Sequence, residues 1–478
     1  MLYTKEQLLD KIYGCWVGKN IGGTIGTPYE GKQELLDVKG FVTEPGKPLA
    51  NDDLDLQLVW LRAMEERGIK GVNAQVLGEY WLDFITPHWN EYGTGKGNLR
   101  GGLPAPLSGA VDNAWQHSNG AWIRSEIWAC ALPGNPDLAS RYGYYDACVD
   151  HGMGEGTYAA IFTTAIESAA FVENDLRKLI AIGLERVPAD SLLAQCVNIV
   201  IDAQKEGLDW VAARQRVLDF SLPKLGWFQA PANVAFVVLG LLYGEGDFKR
   251  SMILATNCGD DTDCTAATVG ALFGILKGAS GLPADWKQYI GDEIITVALN
   301  RGEMWTCPKT CTELAERAYR LLEQAVPLFG LPIAISRPIA EDPAPAPDLA
   351  PGYEARELCQ KSPFAADYDF THMKVTFDYQ RPPVVAEGAE FPVRVHLENL
   401  AREPRYVNLR WLLPAGWEVK GCPQRVYLHH GSHLGVTTSR LDIAATIIAG
   451  PKQPQNRGVL ELVDDHRPTV GLVPLMFL

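Results

Sequence analysis

The chain has 478 residues, 47% of them hydrophobic, enough to bury a large core and to form at least two domains. A formal net charge of −15 without any basic run argues against nucleic acid as a partner and against an anionic membrane surface. Ten cysteines lack a disulfide-framework spacing, no apolar stretch is long enough to span a bilayer, and the first residues read as a capped amphipathic helix rather than a signal peptide, so a reducing, cytoplasmic setting is expected.

In chain order, Thr4 and Gln7 make a capping box for a helix from about Lys5. It runs into a ladder of Gly14, Gly18, Gly22 and Gly26, which lets one helix face approach another backbone or a ligand. The ladder ends in Gly-Thr-Pro-Tyr-Glu-Gly, with Glu30 in a loop where a carboxylate is ordinarily solvated surface. Asn51-Asp52-Asp53-Leu54-Asp55 opens a second helix, with Asn51 as N-cap and Leu54, Leu58 and Leu61 on one face; Val72 to Phe84 forms another. From Thr86 to Trp115 the pattern breaks into Gly, Pro and Asn, predicting a long loop. There and just beyond, His88, Trp89, Tyr92, Trp115 and His117 either line a cleft or fill space, with Lys96 and Arg100 as nearby cations.

Ser118-Asn119-Gly120 leads into a helix from Ala121, a turn that suits an anion and equally a plain turn. Asp150-His151-Gly152-Met153-Gly154-Glu155-Gly156 is a second glycine-rich turn, ahead of a helix from Thr157 to Glu173. A histidine there serves either as a structural hydrogen-bonder or as a ligand contact. Leu176 to Tyr243 reads as amphipathic scaffold helices broken at Pro188, Gly207 and Leu222-Pro223.

Gly259-Asp260-Asp261-Thr262-Asp263-Cys264 is the most informative stretch. Its carboxylates precede a helix from Thr265 to Lys277 that stops at Gly278. Helix capping alone explains one such segment. If it meets the Asp52-Asp53 segment in space, at least four carboxylates converge and repel unless protons or cations neutralise them. Oxygen donors without a His or Cys cluster point to Mg²⁺, Mn²⁺ or Ca²⁺. Helices from Ala284 to Leu299 and Thr312 to Val326 follow, the latter with a capping box from Thr310 to Glu313, and Cys307 and Cys311 lack the second pair that zinc needs. No strand pattern of consequence precedes Pro332.

At Ser336 the composition shifts to Pro and Ala, predicting an extended linker over 336–365 after an all-α domain over 1–335. Beyond it Lys374–Tyr379, Pro392–Leu397, Val407–Trp411 and Trp417–Lys420 alternate apolar with polar. An all-β sandwich over 366–478 fits, immunoglobulin-like in its Leu412–Trp417 segment and suited to binding or oligomerisation. His429, His430 and His433 read as a polar hairpin loop rather than a metal site.

The stretches Gly14–Gly31, NDDLDLQ from Asn51, SNGAWIR from Ser118, the turn around His151, Ala232–Phe248 and GDDTDCTAA from Gly259 occur in the order found in a known family. Across roughly the first two-thirds of its length the chain resembles the ADP-ribosylglycohydrolases, including the dinitrogenase-reductase-activating glycohydrolases. The resemblance implies an all-helical fold that holds two Mg²⁺ or Mn²⁺ ions. It assigns Asn51, Asp52, Asp53, Asp261, Asp263 and Cys264 to the ligand positions. Asn51 and Cys264 stand where threonines are usual, and Asp260, replacing a glycine, is a substitute ligand; one ion instead of two is an alternative. Glu30 matches a glutamate with a catalytic or gating role, and Asp53 is the second catalytic candidate. Ser118, Asn119 and Gly120 match a segment binding diphosphate and ribose; His151, with Gly152 and Gly154, matches a ribose contact.

The expected function is metal-dependent hydrolysis of an ADP-ribosyl glycosidic bond, in a small molecule or an ADP-ribosylated protein. Two alternatives stand: hydrolysis of another furanoside or nucleoside on the same scaffold, and non-catalytic binding of ADP-ribose or a sugar.

Overall fold

The computed structural model describes every residue except 301, 303, 337–346, 348, 350, 402 and 431–438. His433 and most of the Pro/Ala-rich stretch therefore lie outside the described residues.

A short parallel pair, β1 (Leu2–Thr4) with β2 (Ala334–Ser336), ties the beginning of the helical domain to its end. This pair was not legible in the sequence, because three residues carry no period. Between them run α1 (Lys5–Gly26), α2 (Asp52–Arg67), α3 (Ala74–Phe84), α4 (Asn90–Gly101), α5 (Leu107–Ala110), α6 (Glu126–Ala131), α7 (Pro136–Asp150) and α8 (Glu155–Ala169). Then come α9 (Leu176–Leu184), α10 (Leu192–Lys205), α11 (Trp210–Leu225), α12 (Ala230–Tyr243), α13 (Phe248–Asn257), α14 (Thr262–Lys277), α15 (Ala284–Ile290) and α16 (Cys311–Phe329). Helices α12 and α14 are buried on nearly every face, as their almost unbroken apolar sequences require. No described helix is long and apolar enough to cross a membrane.

The axis of the domain is the pairing of α1 with α14. Cβ atoms added at Gly18 and Gly22 would lie 2.1 and 2.2 Å from the carbonyl oxygens of Gly270 and Ala266, so only glycine permits this backbone-to-backbone contact. One rung further, Gly26 abuts the start of α14, where a Cβ would lie 2.4 Å from Asp263 Cα. The Thr262 hydroxyl donates to the Gly26 carbonyl at 2.8 Å and fixes that crossing.

Several elements differ from the sequence reading. The expected loop from Thr86 to Trp115 contains α4 and α5; glycines disfavour a helix in isolation, but here they are the contact face of α4, Gly93 against the His88 carbonyl and Gly95 against Asp150. The helix expected from Ala284 to Leu299 ends at Ile290, because Gly291 takes φ 75° and the Asp55 carboxylate captures the Val297 and Ala298 amides. The helix expected from Ala121 is a 3₁₀ turn, Trp122–Arg124, followed by α6. The helix placed at Thr157–Glu173 is α8, shifted toward the N-terminus. Pro223 lies inside α11 instead of breaking it.

After a short helix, α17 (Tyr353–Leu358), the C-terminal region consists of β3 (Ala365–Phe370), β4 (Met373–Asp378), β5 (Glu390–Asn399), β6 (Arg405–Leu412), β7 (Glu418–Lys420), β8 (Arg425–Leu428), β9 (Arg440–Ile448), β10 (Asn456–Asp464) and β11 (Val470–Phe477). They form two antiparallel sheets, ordered β3-β4-β5-β9-β7 and β11-β10-β6-β8. Phe477 of one sheet packs on Tyr379 and Phe391 beside the other, giving the shared core of a sandwich. Leu103, Leu107 and Val111 of the helical domain belong to that same core. Leu103 just beyond α4, Leu107 of α5 and Val111 just beyond α5 thus join the helical domain to the sandwich.

Candidate active site

The α1–α14 crossing places the chemistry. Immediately after α1 a 3₁₀ turn, Thr27–Tyr29, presents Glu30, and the next residues are stitched to the second acidic loop by Gly31 N–H to Asp260 O and Asp260 N–H to Lys32 O, both 2.8 Å. Helix α2 begins beside it, with Asn51 Oδ1 accepting from Asp53 N–H at 2.8 Å in the N-cap geometry expected. Carboxylate oxygens of Glu30, Asp261 and Asp263 lie within 4.8 Å of one another, as do donor atoms of Asp53, Asp263 and Cys264. The two distant acidic segments therefore meet, with Asp263 common to both groups.

Above them lies a pocket of about 370 Å³ lined by Glu30, Asn51, Asp52, Asp261, Asp263 and Cys264 and, on its remaining walls, by aromatic and polar side chains including Trp89, Glu91, Tyr92, Asn119 and Phe228. Asp53 Oδ2, Asp261 Oδ1, Asp263 Oδ1 and Glu91 Oε2 are buried acceptors without a hydrogen-bond partner, and Asn119 Nδ2 is a buried donor in the same condition. Asp53 lies beneath the lining, which the other four residues share; buried polar atoms are nearly always paired, so such a concentration in and under one pocket marks a place built for a ligand.

The protein's own charges leave this centre short of positive charge. Burial pushes the Asp53 and Asp261 carboxyls well up; Asp263 repels Asp261 further, whereas Lys19 opposes the shift at Asp53. Asp263 is raised to about 6, chiefly by burial, and Glu30 to about 8, chiefly by the Asp263 charge, then by burial and Asp52. Protons or cations must make up the deficit. The buried Lys19 ammonium supplies part of it. Its Nζ donates to Glu126 Oε1 and Ile123 O at 2.7 Å and lies 3.9 Å from Asp53 Oδ2. Burial alone would lower this lysine, but Glu126 and Asp53 outweigh it and keep it charged.

The remaining sequence candidates are distributed as follows. Asp52 lines the pocket and accepts from the Tyr92 hydroxyl at 2.9 Å. Asp260 is turned away: its carboxylate accepts from Phe228 N–H and Asn233 Nδ2, in a residue at φ 69°. Asp55 faces the Val297–Ala298 segment. Asn119 and Gly120 line the pocket, whereas Ser118, His151, Gly152 and Gly154 stand behind its wall. His151 is fully buried, with Nδ1 2.8 Å from Asp150 Oδ1 and Nε2 3.3 Å from Ser118 Oγ. Arg124 bonds Asp146, Asp150 and the Gly120 carbonyl, clamping the Ser-Asn-Gly turn to the end of α7. Trp89 and Tyr92 reach the pocket; His88, Trp115 and His117 do not line it. Lys96 is buried, donating to the Ile85 and Thr86 carbonyls.

Sequence reasoning missed Glu91 and Lys19. Glu91 was hidden in a glycine-rich stretch with no visible period. Lys19 carried a usable signal: the one charged residue of α1 after Lys11, set between Gly18 and Asn20.

The family model described as ADP-ribosylglycohydrolase matches residues 4–325. The ADP-ribosylarginine hydrolase Tri1 of Pseudomonas putida is 38% identical over 94 residues, covering 19% of this chain and 22% of that protein. An uncharacterized protein of Archaeoglobus fulgidus is 23% identical over 299 residues, 59% of this chain and 92% of its own. Among solved structures, a chain of an ADP-ribosylglycohydrolase-related protein complex is 21% identical, with a TM-score of 0.47 over 66% of this chain and 99% of its own.

Proposed function

Because the chain belongs to the ADP-ribosylglycohydrolase family, we propose that it hydrolyses an ADP-ribosyl glycosidic bond, aided by one or two Mg²⁺ or Mn²⁺ ions. The observation that carries this reading is the convergence of Asp53, Asp261, Asp263 and Glu30 in two donor groups that share Asp263, with a buried, partnerless oxygen on each of the three aspartates. That donor set fits a hard divalent cation: Asp53, Asp261 and Asp263 would hold it, with Asp52 alongside. When bound, such an ion orients the ribose hydroxyls and makes a water more acidic.

The protein's own groups do the rest. Cleavage at an anomeric carbon passes through an oxocarbenium-like state, and surrounding carboxylates favour its positive charge. Glu30, exposed at the pocket mouth, holds and moves a proton at its Oε atoms. Trp89 and Tyr92 offer ring faces to a base or sugar, and Asn119 Nδ2 a free donor. Glu91 Oε2 suits a cationic acceptor such as a guanidinium, which makes ADP-ribosylarginine, named in the Pseudomonas relative, the first linkage to test.

A second reading draws on the pocket lining, which contains no Lys, Arg or His among the described residues. A diphosphate would meet no basic side chain there, which favours hydrolysis of another furanoside or a nucleoside.

The test assays ADP-ribosylarginine and other ADP-ribosyl peptides against aryl furanosides and nucleosides, with Mg²⁺ and with chelator. Metal-dependent release of ADP-ribose, abolished in Asp261→Ala together with metal content, supports the first reading. Turnover confined to furanosides or nucleosides supports the second. ADP-ribose binding without turnover of any substrate leaves a binding protein, and an Asp261→Ala variant with unchanged metal content and rate rejects the site.

A further inference from the structure

The acidic centre is not chemically uniform. Glu30, Asp261 and Asp263 form an all-oxygen group, whereas the group sharing Asp263 with it contains a sulfur, Cys264 Sγ, alongside Asp53. These donor atoms lie within 4.8 Å of each other, close enough that small side-chain rotations would bring all three to bonding distance of one cation. Cys264 Sγ is 3.5 Å from Asp53 Oδ1, and Cys264 itself lines the pocket. Two independent observations point to a ligand beside the sulfur: Asp53 Oδ2 and Asp263 Oδ1 lack hydrogen-bond partners, on residues 0% and 5% exposed. The other nine cysteines belong to neither donor group.

We propose that Cys264 is a thiolate ligand of one of two unequal metal subsites, and that this subsite selects a borderline ion such as Co²⁺ or Zn²⁺ over Mg²⁺. The inference rests on the reading that cations occupy this centre. Sulfur is a poor partner for Mg²⁺ and a good one for later divalent ions, while the oxygen-only subsite keeps a preference for hard ions. On ligation the S–H bond breaks, a metal–sulfur bond forms, the proton leaves to a buffer base, and no electron changes hands.

The test is anaerobic titration of the full chain, stripped of metal, with Co²⁺, read by absorbance and by equilibrium dialysis. A near-ultraviolet thiolate-to-cobalt charge-transfer band is expected in the native protein and in the control Cys258→Ser. It should vanish in Cys264→Ser and Cys264→Thr while dialysis still finds bound Co²⁺. The preference for Co²⁺ over Mg²⁺ in competition should fall by about tenfold in Cys264→Thr. Co²⁺ bound equally by native and Cys264→Ser protein, with no such band in either, overturns the proposal and leaves the proposed function standing. Failure of the native protein to retain Co²⁺, Mn²⁺ or Mg²⁺ overturns both.

Discussion

Burial pushes the Glu91 carboxyl up and leaves its Oε2 without a donor, while Oε1 rests against Gly120, where a Cβ would come within 2.2 Å. Such a group costs folding energy, which makes its contribution to function separable from its contribution to stability. Glu91→Gln should therefore hold or raise the unfolding temperature while lowering kcat/KM by about tenfold or more; a melting curve and a rate on one preparation check both signs. Lys19 predicts the opposite pattern. Its ammonium is the buried partner of Glu126 and faces Asp53, so Lys19→Met strands a carboxylate in the core and should cost about 3–5 kcal/mol in urea unfolding.

Among the elements, α1 and α14 make the strongest demand on sequence. Gly22→Ala places a methyl group where the Ala266 carbonyl oxygen already stands, with only backbone to yield, and should destabilise by about 3 kcal/mol or more. Chemical denaturation measures this, and a substituted protein that folds should bind metal more weakly, because Glu30 follows directly from this crossing. The glycine ladder and both acidic helix starts were legible in the sequence because their signals are local: a four-residue repeat and caps next to carboxylates. The direction each carboxylate faces was not. Asp260 and Asp263 look alike in the chain, yet the left-handed backbone at Asp260 turns one toward Phe228 and Asn233 while the other enters the centre. Helix α4 was illegible for a related reason, since Gly93 and Gly95 are favoured only by the His88 and Asp150 backbones pressed against them.

At the scale of the molecule, the helical domain and the sandwich share a core through Leu103, Leu107 and Val111, and a half-buried ionic knot lies nearby. Burial alone would raise the Asp367 carboxyl, but Lys361 and Lys374, with hydrogen bonds from Lys361 and Thr376, outweigh it and hold it below the ordinary value. A carboxylate whose folded value is depressed stabilises above its unfolded value of about 3.9 and loses that contribution as pH falls through the folded one. The difference in melting temperature between the native protein and Asp367→Asn should accordingly be full near neutrality and close to zero in strong acid. Backbone touching backbone holds α1 against α14 beneath the pocket, and glycine cannot be exchanged there. The rim is different: Trp89 and Val297 are each 48% exposed and meet no such constraint. Mutant libraries seeking a new leaving group should be drawn at Trp89 and Val297, where diversity leaves the acidic centre intact, and libraries drawn from the ladder should return mostly unfolded chains.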